Sequence, residues 1–264
     1  MASKIVPLIP KHTVYVEPFC GSAAVMFAKP WPEVTSNNHY REVINDTNGQ
    51  VVEFFRALRD NPDALVRELE LTPYSRREYY ERKLSPAASF FVDAVQSFGN
   101  KPRGGWGRDR LGYNSAATWA NKLPLLLKCA ERLQGVFVDD LDAIELIKRW
   151  DSPHTFFYCD PPYPGTDQGH YKGYTQEDFE RLCDALDNIE GSFLLSCYAN
   201  DAPRLHWRKH EFKSRMSAAK AINGERKNSE RTEVVWGNSA QGKVRAEIQA
   251  LYDSGKFDCF TGEI

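Results

Sequence analysis

No stretch of the 264-residue chain approaches the roughly 18 consecutive apolar residues of a membrane-spanning helix, and no signal-peptide pattern opens it. The expectation is a cytoplasmic protein with no membrane partner. Cysteines are few and scattered. Cys20, Cys129, Cys159, Cys183, Cys197 and Cys259 form no CxxC pair and no Cys/His cluster, so neither a disulfide framework nor a metal site is expected. Net charge is nearly absent as well: 34 Lys and Arg against 36 Asp and Glu leave −2, without the overall basic excess that usually marks a nucleic-acid binder. Internal repeats and long low-complexity tracts are missing, which excludes a solenoid. A chain of this length can bury one substantial α/β core with room for a modest insert.

What is present is charge gathered locally. Lys101, Arg103, Arg108 and Arg110 face the single Asp109 around Gly104-Gly105-Trp106-Gly107. Between Arg208 and Arg231, eight basic residues, Lys220, Arg226 and Lys227 among them, face three Glu. Both stretches read as loops. Charge runs of this kind also suit a solvated surface, but in an otherwise balanced chain phosphate neutralisation is the sharper reading. Trp106 adds a ring that can dock on the core or fill the space left by an extruded base.

Hydrophobic periodicity supplies the frame. Val51, Phe55 and Leu58 make one helical stripe; Phe91, Val95 and Phe98 a second; Leu123, Leu127, Ala130 and Leu133 a third. Asn61-Pro62 and Ser85-Pro86 each set a capping side chain before a proline at the first helical position. Strands are expected at 136–138, 155–159, 192–198 and 233–236, with a helix over 176–189. Strand and helix alternate at both ends of the chain. The helix-rich segment 74–134 interrupts that alternation and reads as an inserted subdomain, leaving 1–73 and 135–264 as the main domain.

The chemistry begins at Asp160-Pro161-Pro162-Tyr163, directly after the strand-like Thr155–Cys159. A Pro-Pro turn can simply end a strand. It can also hold a carboxylate and a carbonyl rigidly enough to accept both hydrogens of an exocyclic amino group, turning its lone pair toward a methyl donor. The tyrosine ring then offers a stacking face for a base taken out of its helix. Upstream, Val14-Tyr15-Val16-Glu17-Pro18-Phe19-Cys20-Gly21-Ser22 reads as a strand breaking into a tight turn before an apolar helix. Asp46 follows a second strand, Glu42–Asn45, 25 positions beyond Gly21, where dinucleotide folds place the acid that binds ribose hydroxyls.

Taken in order, these segments resemble the DNA adenine methylase (Dam) family of S-adenosylmethionine-dependent N6-adenine methyltransferases, in particular the short orphan forms of phages and prophages. VEPFCGSAAV is similar to the family's cofactor loop, INDTNGQVVEFFRALRDNP to its ribose-binding segment, DSPHTFFYCDPPY to its catalytic motif and RTEVVWGN to its closing strand. The order matches the alpha arrangement. The resemblance implies a Rossmann-like methyltransferase fold with target recognition of double-stranded DNA in the insert, in a bacterial or phage-infected cytoplasm, as a monomer or weak dimer. It implies cofactor contacts from Glu17, Pro18, Phe19, Cys20, Gly21, Ser22, Asp46 and Asp160, with Asp140 or Asp142 near the cofactor's adenine. Catalysis falls to Asp160, Pro161, Pro162 and Tyr163.

Two departures follow. The family's opening Gly-Gly-Lys has no counterpart before Ala2-Ser3-Lys4, so a chain carrying that leader is expected to bind cofactor more tightly. Ala23 stands where many relatives have a second glycine, a change of little cost if φ is negative there. Cytosine C5 methylation, which needs a thiolate in a Pro-Cys context, is disfavoured because the chain has no such pair. An N4-cytosine methyltransferase and a catalytically silent DNA-binding module stay as alternatives.

Overall fold

The computed structural model describes residues 1–30, 40–98, 105–107, 114–163, 173–198, 204, 206–215 and 230–238. Among them, β1 (Val14–Glu17), β2 (Arg41–Asn45), β3 (Val136–Asp139), β4 (Thr155–Cys159), β5 (Ser192–Tyr198), β6 (Arg208–Arg215) and β7 (Glu230–Gly237) form one sheet ordered β3-β2-β1-β4-β5-β7-β6. The first five strands run parallel, while β7 is antiparallel to both of its neighbours. The chain leaves β1 in one direction and returns at β4 on the other side. That reversal opens a crevice at the carboxyl ends of the two strands, where open α/β sheets bind ligands. The fold is the Rossmann-like α/β arrangement expected of a methyltransferase.

Helices cover both faces. On one side lie α1 (Ala2–Ile5), α2 (Ala24–Ala28), α3 (Gly49–Asp60), α4 (Pro62–Glu70), α5 (Arg76–Glu81), α6 (Pro86–Gln96) and α7 (Ser115–Leu133), sharing a core with Tyr15, Ile44, Phe156 and Tyr158 of the sheet. On the other, α8 (Ala143–Trp150) and α9 (Gln176–Asp187) pack on Val16, Val43, Phe157 and Cys159. The strand residues alternate between the two clusters, as the period of 2 requires. β4 is buried at every position, the mark of a central parallel strand covered on both faces. Each of the fully buried Phe156, Phe157 and Phe193 contributes about 1.5–3 kcal/mol of transfer free energy. Helices α6 and α7 carry no separate core; they share that of α3, α4 and the sheet.

Local chemistry sets the helix starts. Ser85 accepts a bond from the Ala88 amide ahead of Pro86, and Thr175 with Asp178 forms a complete capping box at α9. Asn61 precedes α4 as expected, but its side chain makes no capping bond. The stripe Val51, Phe55 and Leu58 is buried.

Four expectations are corrected. Residues 208–215 are not loop but the edge strand β6, paired through eight residues with β7; pairing overrides their weak strand propensity, and charge is what edge strands carry against further association. Leu127 is exposed and Leu126 buried, so the stripe of α7 runs Trp119, Leu123, Leu126, Ala130, Leu133. Phe98 lies beyond the end of α6 and is 65% exposed. Ala23 has φ 52, in the left-handed region, so the absence of glycine there has a cost of about 1–2 kcal/mol. The basic residues Lys101, Arg103, Arg108, Arg110, Lys220, Arg226 and Lys227, with most of the Gly-rich loop expected over 164–174 and of a second loop expected over 217–230, lie outside the described residues.

Candidate active site

Strands β1 and β4 are hydrogen-bonded neighbours, Val14 opposite Thr155 and Val16 opposite Phe157, so the turns that follow them emerge side by side. The first turn is built tightly. Gly21 takes φ +48, a conformation available to glycine at little cost, and its amide donates to the Asp46 carboxylate at 3.0 Å. Asp46 is 2% exposed and also accepts from the Asn48 amide at 2.8 Å. The carboxylate expected at the ribose thus also fixes the glycine turn and the entry to α3.

A residue missed in the sequence holds the floor together. Asn45, fully buried, donates to the carbonyls of Pro18 and Leu141 at 2.9 and 3.0 Å and accepts from the Leu141 amide at 2.8 Å. It thereby ties the turns after β1, β2 and β3. The Cys20 amide donates to the Asn45 carbonyl, and the thiol is buried, its pKa pushed well up by desolvation. Its only sequence signal was an Asn at a strand end.

Glu17 sits below this floor. Its Oε1 accepts from the Tyr15 hydroxyl at 2.6 Å and the Met26 amide at 2.7 Å, and burial raises its pKa to about 8. The folded protein therefore keeps a proton that the unfolded chain releases near 4.5, and Glu17 weakens stability as pH rises between about 4.5 and 8. His12 acts oppositely lower down: burial, with Lys29 beside it, lowers its pKa to about 4, so its contribution is lost as pH falls from 6.5. Above about pH 6.5 Glu17 acts without that opposition. Glu17→Gln keeps an acceptor for both donors, and the stability difference between variant and parent is expected to grow by up to about 1.4 kcal/mol per pH unit between pH 6.5 and 8. Urea titrations at stepped pH check this; parallel pH profiles would show that Glu17 is ionised throughout.

A cleft of about 470 Å³ opens over the carboxyl ends of β1 to β4. Its wall takes Phe19 from the turn after β1, Thr47, Asn48 and Gly49 after β2, Asp142, Ala143 and Ile144 after β3, and Pro162 after β4. Gly173, Tyr174, Asp178, Arg181 and Leu182 close the far side. Phe19 and Tyr174 meet edge to face, their centroids 6.1 Å apart. Asp142 caps α8 by accepting from the Ile144 and Glu145 amides. Of the alternatives after β3, Asp142 lines the cleft, while Asp140 is exposed and absent from its lining. Ser22 is exposed beside the glycine turn.

At the mouth stands the tetrapeptide. Pro161 and Pro162 are buried, Asp160 is exposed, and the Tyr163 hydroxyl donates to Asp160 Oδ1 at 3.1 Å. The Tyr163 ring packs partly on the α8–α9 core. Among the described residues no group of three His, Cys, Asp or Glu is placed to hold a metal ion, and no helix is long and apolar enough to cross a membrane.

Residues 1–101 match the family model of the D12 class N6 adenine-specific DNA methyltransferases. Over these residues the chain is similar to that family. Two solved structures of the rRNA methyltransferase aviRa from Streptomyces viridochromogenes are similar in outline, at 12% and 13% identity, covering 89% of this chain and 80% and 81% of theirs, each with a TM-score of 0.38. No curated protein sequence matches. The family match spans the part of the chain that holds the glycine turn, Asp46 and helices α1 to α6.

Proposed function

We propose that this protein is a D12-class methyltransferase and methylates N6 of an adenine flipped out of double-stranded DNA, with S-adenosylmethionine in the cleft over β1 to β4. The observation that carries the reading is the adjacency of β1 and β4, which delivers the glycine turn and Asp160–Tyr163 to one edge of one cleft. The cleft suits the cofactor: its volume is ordinary for a site of that size class, it has two aromatic walls, and polar groups from three successive strand ends line it. Phe19, Asp142 and the Thr47–Gly49 segment would hold the nucleoside part, with Asp46 at the ribose. When bound, S-adenosylmethionine supplies the electrophilic methyl group.

The chain's own residues do the rest. Asp160 and the Pro161 carbonyl accept the two N6 hydrogens, so the nitrogen lone pair turns out of the ring's conjugation and toward the methyl carbon. Tyr163 stacks on the base and, through its hydroxyl, steadies the Asp160 carboxylate. As the new N–C bond forms and the S–C bond breaks, the surplus N6 proton passes to Asp160 or water. Target recognition is assigned to the helices between 74 and 134 with the basic sequence around them. The test is expression in a methylase-deficient host followed by sequencing of modified bases: N6-methyladenine confined to one short motif is expected. Modified N4-cytosine would select that chemistry instead, and unmodified DNA together with cofactor binding by calorimetry would leave a silent module.

A further inference from the structure

A second hollow, of about 390 Å³, lies between α8 and α9, and Ile144 and Arg181 line both it and the cleft. The two spaces therefore adjoin, with those side chains at their common rim. On α8 the wall of the hollow is Ile144, Ile147 and Lys148, with Asp151 just beyond the helix. On α9 it is Arg181, Asp184 and Ala185, with Asn188 and Ile189 beyond. Each row has the i, i+3, i+4, i+7 spacing of one helix face, so the hollow is a furrow running along the helices for about 10 Å, away from the cleft. Its floor is apolar: Ile147 is 1% exposed, and Ala185 and Ile189 are half-buried.

Charge and position narrow what the furrow takes. Asp184 pairs with Arg204, and Asp151, at the far end, accepts from the Glu190 and Gly191 amides at 2.9 and 3.0 Å. The cations are less engaged: Lys148 is exposed, and Arg181 reaches Asp178 only at 3.5 Å, a carboxylate already bonded by the Thr175 amide and hydroxyl, both at 2.9 Å. An apolar floor that carries cations over its nearer half and an acid at its end suits a short apolar chain whose anionic end stops beside Lys148. In the reading above, the methyl group lies at Asp160 after β4 and the ribose at Asp46 after β2. The sheet order β3-β2-β1-β4 then carries the cofactor's adenine onward over the end of β3, to residues 142–144 and Leu182. Its N6 stands on the edge opposite the ribose-bearing N9, so a group carried on N6 leaves the cleft by way of Ile144.

We propose that the cleft and the furrow form one extended site, the furrow being a subsite for an apolar chain with an anionic end carried on N6 of an adenosine ligand. The inference rests on the reading that places S-adenosylmethionine in the cleft. Its test is calorimetric titration of the whole chain with S-adenosylhomocysteine, with its N6-(4-carboxybutyl) derivative and with its N6-(4-aminobutyl) derivative. The carboxybutyl compound is expected to bind roughly fivefold or more tighter than S-adenosylhomocysteine, as follows when about a third of the transfer free energy of its methylenes is realised in an open furrow. It should also bind about two- to fivefold tighter than the aminobutyl compound, the span of an exposed ion pair. Lys148→Glu changes the furrow wall and not the cleft. It is expected to reverse the order of the two derivatives while S-adenosylhomocysteine affinity stays within about twofold. Ala185→Phe should fill the furrow and bring the carboxybutyl compound down to the affinity of S-adenosylhomocysteine. A carboxybutyl chain that adds no affinity, a gain that survives Ala185→Phe, or an order of derivatives unchanged by Lys148→Glu overturns the proposal. Failure of S-adenosylhomocysteine itself to bind the parent would instead overturn the cofactor reading beneath it.

Discussion

Asp160→Ala is expected to lower single-turnover methylation of DNA by about 100-fold or more while cofactor affinity stays within about threefold. The magnitude follows from removing one preorganised acceptor at the reacting nitrogen, a loss of about 3 kcal/mol or more from the transition state. The structure makes the substitution clean. Asp160 is exposed at the end of β4, where its carboxylate accepts from the Tyr163 hydroxyl. The cleft lining includes Pro162 but not Asp160, so the nucleoside part of the cofactor should bind as before. Asp160→Asn sharpens the point, because an amide that turns its NH2 toward N6 offers a donor where an acceptor is needed. Labelled-methyl transfer under single turnover, paired with calorimetric titration of S-adenosylmethionine, is the measurement. Near-normal transfer in Asp160→Ala would remove the catalytic assignment and leave the tetrapeptide as a turn.

The turns at Asp160–Tyr163 and at Gly21 were legible in the sequence because proline and glycine punctuate the chain at the end of an apolar strand. The parallel strands β1, β2, β4 and β5 were legible for the same local reason. What stayed hidden is whatever arrives by tertiary packing. Asp178 and Arg181 reach the cleft from α9, and nothing in their sequence neighbourhood announces it. Asn45 gave a weak signal at best, since its three bonds go to backbone groups 27 and 96 positions away. Charge misled at β6, where a basic run that reads as loop is a paired edge strand.

The same long-range packing underlies the largest expected effect on stability. Glu42, 4% exposed on β2, accepts from Arg132 at 2.7 Å and from Lys29 at 3.1 Å, and the Tyr40 hydroxyl donates to it at 3.1 Å. Arg132 also donates to the Lys29 carbonyl at 2.8 Å, closing the group. One carboxylate thus joins the end of α7, the segment after α2 and the second strand, binding the helical layer to the sheet at the end remote from the cleft. Burial lowers the Lys29 pKa to about 8 although Glu42 supports its charge; without Glu42 both cations would face each other in a dry site. Glu42→Gln, nearly isosteric, is therefore expected to lose about 3–5 kcal/mol, the usual cost of leaving buried charge uncompensated. In urea the midpoint should fall with an unchanged slope, since the surface exposed on unfolding is the same. Because Glu42 lies at the opposite end of β2 from the cleft, kcat and KM at a temperature where the variant is folded should match the parent. A variant as stable as the parent would show that Lys29 gives up its proton at small cost and that Arg132 alone, bonded to the Lys29 carbonyl, keeps the helical layer seated.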